Sequence, residues 1–145
     1  MEVKFMRLPH GEGLDLPRYE TADASGMDIR SAESFKLFHG QTKLFTTGFA
    51  VEVPRGFELQ VRSRSGLAAK HGVFVTNGIG TIDADYRGEL GVILSHLGTN
   101  ALQIERGDRI AQLVLVPVVQ AAISEVDVLS DTVRGAGGLG STGRR

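Results

Sequence analysis

The chain has 145 residues, with 19 Gly, no Cys, no Trp and aromatics at only 6%; that length predicts one domain, and this balance suits a sheet-and-turn protein rather than a helical bundle. The 16 basic and 17 acidic residues leave a net charge of −1, so nothing points to nucleic acid as partner. The absence of cysteine excludes disulfides and thiolate metal sites and fits a cytoplasmic protein, and no continuous apolar stretch reaches signal-peptide or membrane-span length, so no membrane contact is expected.

Val3, Phe5 and Leu8 predict a first strand that Pro9 ends. Residues 10–26 read as turns. Met27–Ala32 alternates as a strand. Asp28, just after Gly26, reads by itself as a turn-capping carboxylate that can also point outward. Phe35–Phe38 and Lys43–Phe45 flank His39-Gly40 as a hairpin. Phe49–Pro54 and Phe57–Arg62 are further period-2 strands, divided by the turn Pro54-Arg-Gly56. Ser63–Gly72 breaks the alternation. It predicts a helix from Gly66 to His71, with Ser65 as N-cap and Gly72 past its end. Free N–H groups, a serine hydroxyl and Arg64 suit that helix start to an anion.

Val73–Val75 leads into Asn77–Glu89, around which the chain is organised. Gly78 and Gly80 leave the backbone bare for close approach. Asp83, Asp85, Arg87 and Glu89 require partners or solvent. Gly88 marks a turn, and Glu89–His96 reads as a returning strand. The stretch is read as a β-hairpin whose main chain takes a flat ligand and whose Asp83 serves as a base; the plain alternative is an ordinary hairpin with a polar tip.

Asn100–Glu105 alternates, and Arg106–Arg109 is a tight polar turn. Arg109–Val119 is the most apolar run, expected to be buried on both faces, in the core or at a subunit contact. Gln112 within it needs a backbone or ligand partner. Ala122–Val128 is expected as a last strand. The closing segment carries five glycines in the nine residues from Gly135, too costly in entropy to order alone. Gly135-x-Gly137-x-x-Gly140 has a dinucleotide-like spacing, but no helix can follow it before Arg145. What remains is a flexible, positive, phosphate-seeking arm with Arg134, Ser141 and Thr142. The four histidines show no paired zinc spacing. About nine strands and no helix longer than two turns make an all-β domain.

Five segments in order resemble the motifs of the trimeric dUTPases: Ala24–Ile29, Arg64–Ala68, Gly80–Glu89, Gly107–Leu113 and Arg134–Gly143. The resemblance covers essentially the whole chain. It implies a jelly-roll-like β-barrel of the β-clip type over residues 1–130, a flexible C-terminal arm over 131–145, and a homotrimer with shared sites. It also implies Mg²⁺-dependent hydrolysis of dUTP to dUMP and pyrophosphate.

Residue by residue, the resemblance makes Asp83 the group that orients and deprotonates water. Asn77 and the backbone of Gly78, Thr81 and Ile82 would bind uracil. Tyr86 would pack under deoxyribose, and Gly91 would face the same pocket. Arg64, Ser65 and Gly66 would hold phosphate oxygens, with Gln112 reaching phosphate from another subunit. Asp28 would hold Mg²⁺ through waters. Arg134, Leu139, Gly140, Ser141 and Thr142 would cover the ligand. Leu139 stands where the family usually has Phe, which removes an aromatic stack worth about 1–3 kcal/mol elsewhere. Two other readings are a dCTP deaminase of related fold, whose cytosine-reading pattern is not found, and a ligand-sensing module on the same scaffold. An intact Asp83 and phosphate set argue against the second.

Overall fold

A computed structural model describes residues 1–138. In chain order it contains β1 (Lys4–Arg7), a 3-10 turn (Pro9–Gly11), β2 (Arg18–Tyr19), β3 (Met27–Arg30), β4 (Phe35–Leu37), β5 (Thr42–Glu52) and β6 (Phe57–Arg62). There follow α1 (Ser65–His71), β7 (Val73–Val75), β8 (Ile79–Ile82), β9 (Glu89–His96), β10 (Leu102–Ile104) and β11 (Arg109–Pro117). One sheet has the order β1-β5-β9-β7 and a second β2-β3-β11-β6-β8, while β4 and β10 pair separately. The pairings are antiparallel throughout. This is the expected all-β, jelly-roll-like architecture with one short helix, but among the described residues the ladders do not close into a barrel.

Period-2 alternation does the folding. Along β9, Leu90, Val92, Leu94 and His96 turn inward while Gly91, Ile93 and Ser95 remain open to the other face. A single apolar cluster takes side chains from both larger sheets, including Phe45 and Phe49 of β5, Leu59 of β6 and Leu113 of β11. Each such phenylalanine contributes about 2–3 kcal/mol by leaving water. Phe5 and Phe35 add edge-to-face contacts on Phe49 and Phe45, at 6.4 and 6.2 Å between ring centres.

Four local expectations are corrected. The segments 43–45 and 49–53 belong largely to one strand, β5, whose register slips between Thr46 and Ala50. Gly48 takes φ +74° in that irregularity, and its backbone lies against Gly11. Next, β4 does not form a hairpin with β5 but pairs with β10. Third, Asn77–Glu89 is not a hairpin: β8 pairs with β6 in one sheet and β9 with β5 and β7 in the other. Turn residues and alternation were right there, but the returning strand joins a different sheet. Finally, residues 118–132 form no strand, and Val119, Ile123, Val128 and Leu129 stand exposed. An alternating segment becomes a strand only when another edge satisfies its backbone. Among the described residues, no helix is long and apolar enough to cross a membrane.

Candidate active site

Because β8 and β9 separate into different sheets, a cleft of about 270 Å³ opens between them. Asn77, Gly80, Thr81 and Ile82 line one side, and Gly91 and Ile93 of β9 with Leu44 of β5 line the other; Tyr86 and Glu89 border it. The strand β8 ends its sheet, so only its β6 side is spent on a ladder. Its other edge is open to hydrogen-bond a ligand as another strand would. Gly78 adopts φ +73° in the turn entering β8, with its N–H donated to the Val75 carbonyl at 3.0 Å. A side chain at Gly80 would meet Val61 at 3.1 Å, and one at Gly91 would meet Leu44 at 2.6 Å. The glycines therefore keep the cleft narrow but unfilled.

Asp83 follows β8 directly and is exposed. Its carbonyl accepts the Tyr86 N–H at 3.2 Å. It lines a neighbouring cleft with Arg55, Glu58 and Asp85, so its carboxylate stands past the end of β8 rather than inside the cleft of Asn77 and Tyr86. The Tyr86 phenol donates to the Glu89 carbonyl at 2.8 Å, which folds the ring back along the turn.

A second group of predicted residues gathers where β3, β11 and the β6–α1 junction meet. The N-cap of α1 is Arg64, in extended conformation, and not Ser65, which is the first helical residue; no side chain caps the helix. Arg64 has no acceptor with which to cap, and its guanidinium lies 3.3 Å from Asp28 Oδ1 and donates to the Arg109 carbonyl at 2.9 Å. The first N–H groups of the helix lack partners within it. Gly72 closes α1 with φ +64°, as expected. Gln112 finds a backbone partner: its amide donates to the Ser63 carbonyl at 3.0 Å. Gly26 is bare because a Cβ there would lie 2.5 Å from Gln112 Oε1.

Asp28 is nearly enclosed, and its carboxylate receives both Arg64 and Arg109, the latter at 2.9 Å. Among the described residues no three His, Cys, Asp or Glu side chains gather as a metal site. Arg64 and Arg109 line a cleft with Leu67 and Gln103, and none of Arg64, Ser65, Gly66 or Gln112 lines the cleft of Asn77 and Tyr86. Arg134 is exposed and donates to the Gly137 carbonyl at 2.8 Å. Leu139, Gly140, Ser141 and Thr142 lie outside the described residues.

Sequence reading missed Arg109, Leu44 and Val61. For Arg109 the available signal was a cation just after the Gly107-Asp108 turn, at the start of a strand carrying Gln112. Leu44 carried a weaker signal, an apolar residue on the polar phase of an alternating strand. Nothing in the sequence singles out Val61 from other core valines.

The dUTPase family profile matches residues 12–143. The deoxyuridine 5'-triphosphate nucleotidohydrolase of Rhizobium etli is 54% identical over 145 residues, covering 97% of this chain and 93% of the relative. That of Zymomonas mobilis is 52% identical over 143 residues, covering 99% and 98%. Among solved structures, a Staphylococcus bacteriophage 80alpha dUTPase with dUpNHpp superposes with a TM-score of 0.85 at 29% identity, over 98% of both chains. A dUTPase variant from phage phi11 of S. aureus, described with a structural Mg(II) ion, gives 0.79 at 25% identity over 88% of this chain and 98% of that one. With five ordered motifs, this fold and relatives more than half identical along its length, the chain belongs to the dUTPase family.

Proposed function

We propose that the chain hydrolyses dUTP to dUMP and pyrophosphate in the cytoplasm, as a homotrimer whose sites draw on more than one copy. The observation that carries this is the open edge of β8 in a narrow cleft, bordered by Tyr86 and followed at once by the Asp83 carboxylate. Uracil presents acceptor, donor, acceptor along one edge, which suits alternating main-chain groups; cytosine inverts part of that order. A fixed polar site rejects a ligand that leaves its groups unpaired. The curated relatives carry this activity in their names, and the phage enzyme was solved with dUpNHpp, a triphosphate analogue.

In this reading the uracil lies against Asn77 and the backbone from Gly78 to Ile82, and the deoxyribose packs on Tyr86, with no space for a 2′-hydroxyl. Asp83 accepts a proton from a water aimed at the α-phosphorus. The new P–O bond forms in line with the bond to the pyrophosphate oxygen, which breaks and carries the charge away. Arg64, the helix-start N–H groups of Ser65 and Gly66, and Gln112 hold phosphate oxygens. Arg134, Leu139, Gly140, Ser141 and Thr142, in an arm from residue 131, cover the ligand.

Mg²⁺ would neutralise charge on the triphosphate. Asp28 fits such an ion only through water, because Arg64 and Arg109 already occupy its oxygens. That matches an ion that keeps several waters.

Two features support a shared site. The base cleft and the Arg64 group open separately within one chain. The apolar residues from Val119 to Leu129 also stand exposed among the described residues, which suits a surface that a second copy covers.

The test is pyrophosphate release from dUTP, dTTP, dCTP and UTP, with and without Mg²⁺. Turnover of dUTP should exceed the others by about a hundredfold or more. Comparable release from dCTP, or none from dUTP, overturns the reading.

A further inference from the structure

We infer that Glu89 is a positioning residue that holds Tyr86 in place, and with it the discrimination between deoxyribose and ribose. The inference rests on the proposed packing of the sugar against Tyr86. The connection from β8 to β9 crosses between two sheets, so no ladder fixes it. Its own hydrogen bonds are local: Tyr86 N–H to Asp83, and the Arg87 guanidinium to the Ala84 and Tyr86 carbonyls, each at 2.7 Å. Glu89, the first residue of β9, ties it to the body twice: its backbone pairs with Ala50 at the end of the β5–β9 ladder, and its side chain reaches back into β5. Its Oε1 accepts the Thr47 N–H at 3.1 Å, the Gly48 N–H at 2.8 Å and lies 2.7 Å from His10 Nε2.

Those donors come from a stiff place. Thr47 and Gly48 sit in the irregularity of β5, and the backbones of Gly11 and Gly48 touch with no space for a Cβ on either. Arg106 in turn donates to the carbonyls of His10 and Glu12 at 3.0 and 2.7 Å. Past the irregularity the β5–β9 ladder has only the Ala50–Glu89 pair, and the Glu89 side chain braces it; the Glu89 carbonyl then receives the Tyr86 phenol at 2.8 Å. Gly88 completes the clamp, because a Cβ there would collide with the Tyr86 hydroxyl. An acceptor is required, because both N–H donors and the His10 ring converge on the single oxygen Oε1.

The chain has two tyrosines and no tryptophan, so in a Tyr19→Phe background Tyr86 is the single emitter. Glu89→Met keeps the length of the side chain but removes its acceptor, while Glu89→Gln retains an amide oxygen for the same N–H groups and should stay close to the parent. In Glu89→Met we expect the kcat/KM ratio of dUTP to UTP to fall about tenfold, chiefly through the KM for dUTP. The fluorescence anisotropy of Tyr86 should fall with it. His10→Ala, at a half-exposed ring outside the cleft, should move both readouts the same way by less, with its urea midpoint nearly unchanged. An unchanged ratio and unchanged anisotropy in Glu89→Met overturn the inference, as does lost stability with discrimination intact. If the parent releases no pyrophosphate from dUTP, the proposed function fails instead, and the anisotropy without ligand still decides whether Glu89 holds Tyr86.

Discussion

Arg109 reaches across paired strands to place a guanidinium nitrogen 2.9 Å from Asp28 Oδ2, while Arg64 takes the other oxygen at 3.3 Å. Asp28 thus holds two guanidinium groups, one of them from Arg64, the residue that precedes α1. Asp28→Asn should cost about 1–2 kcal/mol, since a largely enclosed carboxylate loses charged hydrogen bonds while its partners stay partly solvated. It should also raise the KM for dUTP by releasing Arg64. Urea unfolding and steady-state kinetics check the two effects separately.

Asp83 carries no ion pair among the described residues and stands exposed beyond β8, so its replacement should leave the fold alone. Asp83→Asn is expected to bind dUpNHpp as the parent does and to lose about 10²–10⁴-fold in kcat. Calorimetric titration paired with a pyrophosphate assay gives both numbers. Full turnover in this variant removes Asp83 as the base.

Gly48 and Gly40 both have positive φ, +74° and +76°, but only Gly48 faces another backbone, that of Gly11. Gly40→Ala meets nothing within 4 Å, so it should cost only the left-handed strain, about 1–2 kcal/mol. Gly48→Ala adds a collision that no side-chain rotation relieves and should cost about 3 kcal/mol or more. Equal urea midpoints for the two variants would discard the close approach as the reason for Gly48.

Burial by itself pushes the Glu33 carboxyl up, but the Thr46 N–H at 3.0 Å, Lys43 at 2.9 Å and the Thr46 hydroxyl outweigh it. The net result lies below the ordinary glutamate value of 4.5. In Glu89, burial is likewise outweighed, by His10 and by the Gly48 and Thr47 N–H groups. A carboxyl lowered by folding contributes stability that is fully present above its unfolded value and fades as pH falls through its folded one. The urea midpoint should therefore drop from about pH 5 downward, and Glu33→Gln should flatten that drop. A slope identical to the parent's removes Glu33 from the account.

Removing residues 134–145 should leave a folded protein with poor dUTP turnover, because Arg134, Ser141 and Thr142 are lost while the β domain is untouched. Circular dichroism and the pyrophosphate assay test it; an unchanged rate dismisses the arm.

Much of the fold was legible because alternation is a local property. Phe57–Arg62 alternates and is β6 with those bounds, and Gly72 ends α1 as its left-handed conformation demands. The chemistry-bearing residues were legible too, since Asn77, Asp83 and Tyr86 sit in one short motif with bare glycines between them.

What alternation cannot encode is the partner. A period of two tells which face of β8 is buried but not whether β6 or β9 lies beside it, because pairing depends on residues far along the chain. Only the tertiary structure decided that β8 and β9 part into different sheets, that this parting opens the cleft, and that Arg109 rather than solvent meets Asp28. The same reason governs residues 122–128. Their pattern is that of a strand, yet hydrogen bonds need an edge alongside, and among the described residues this segment pairs with none.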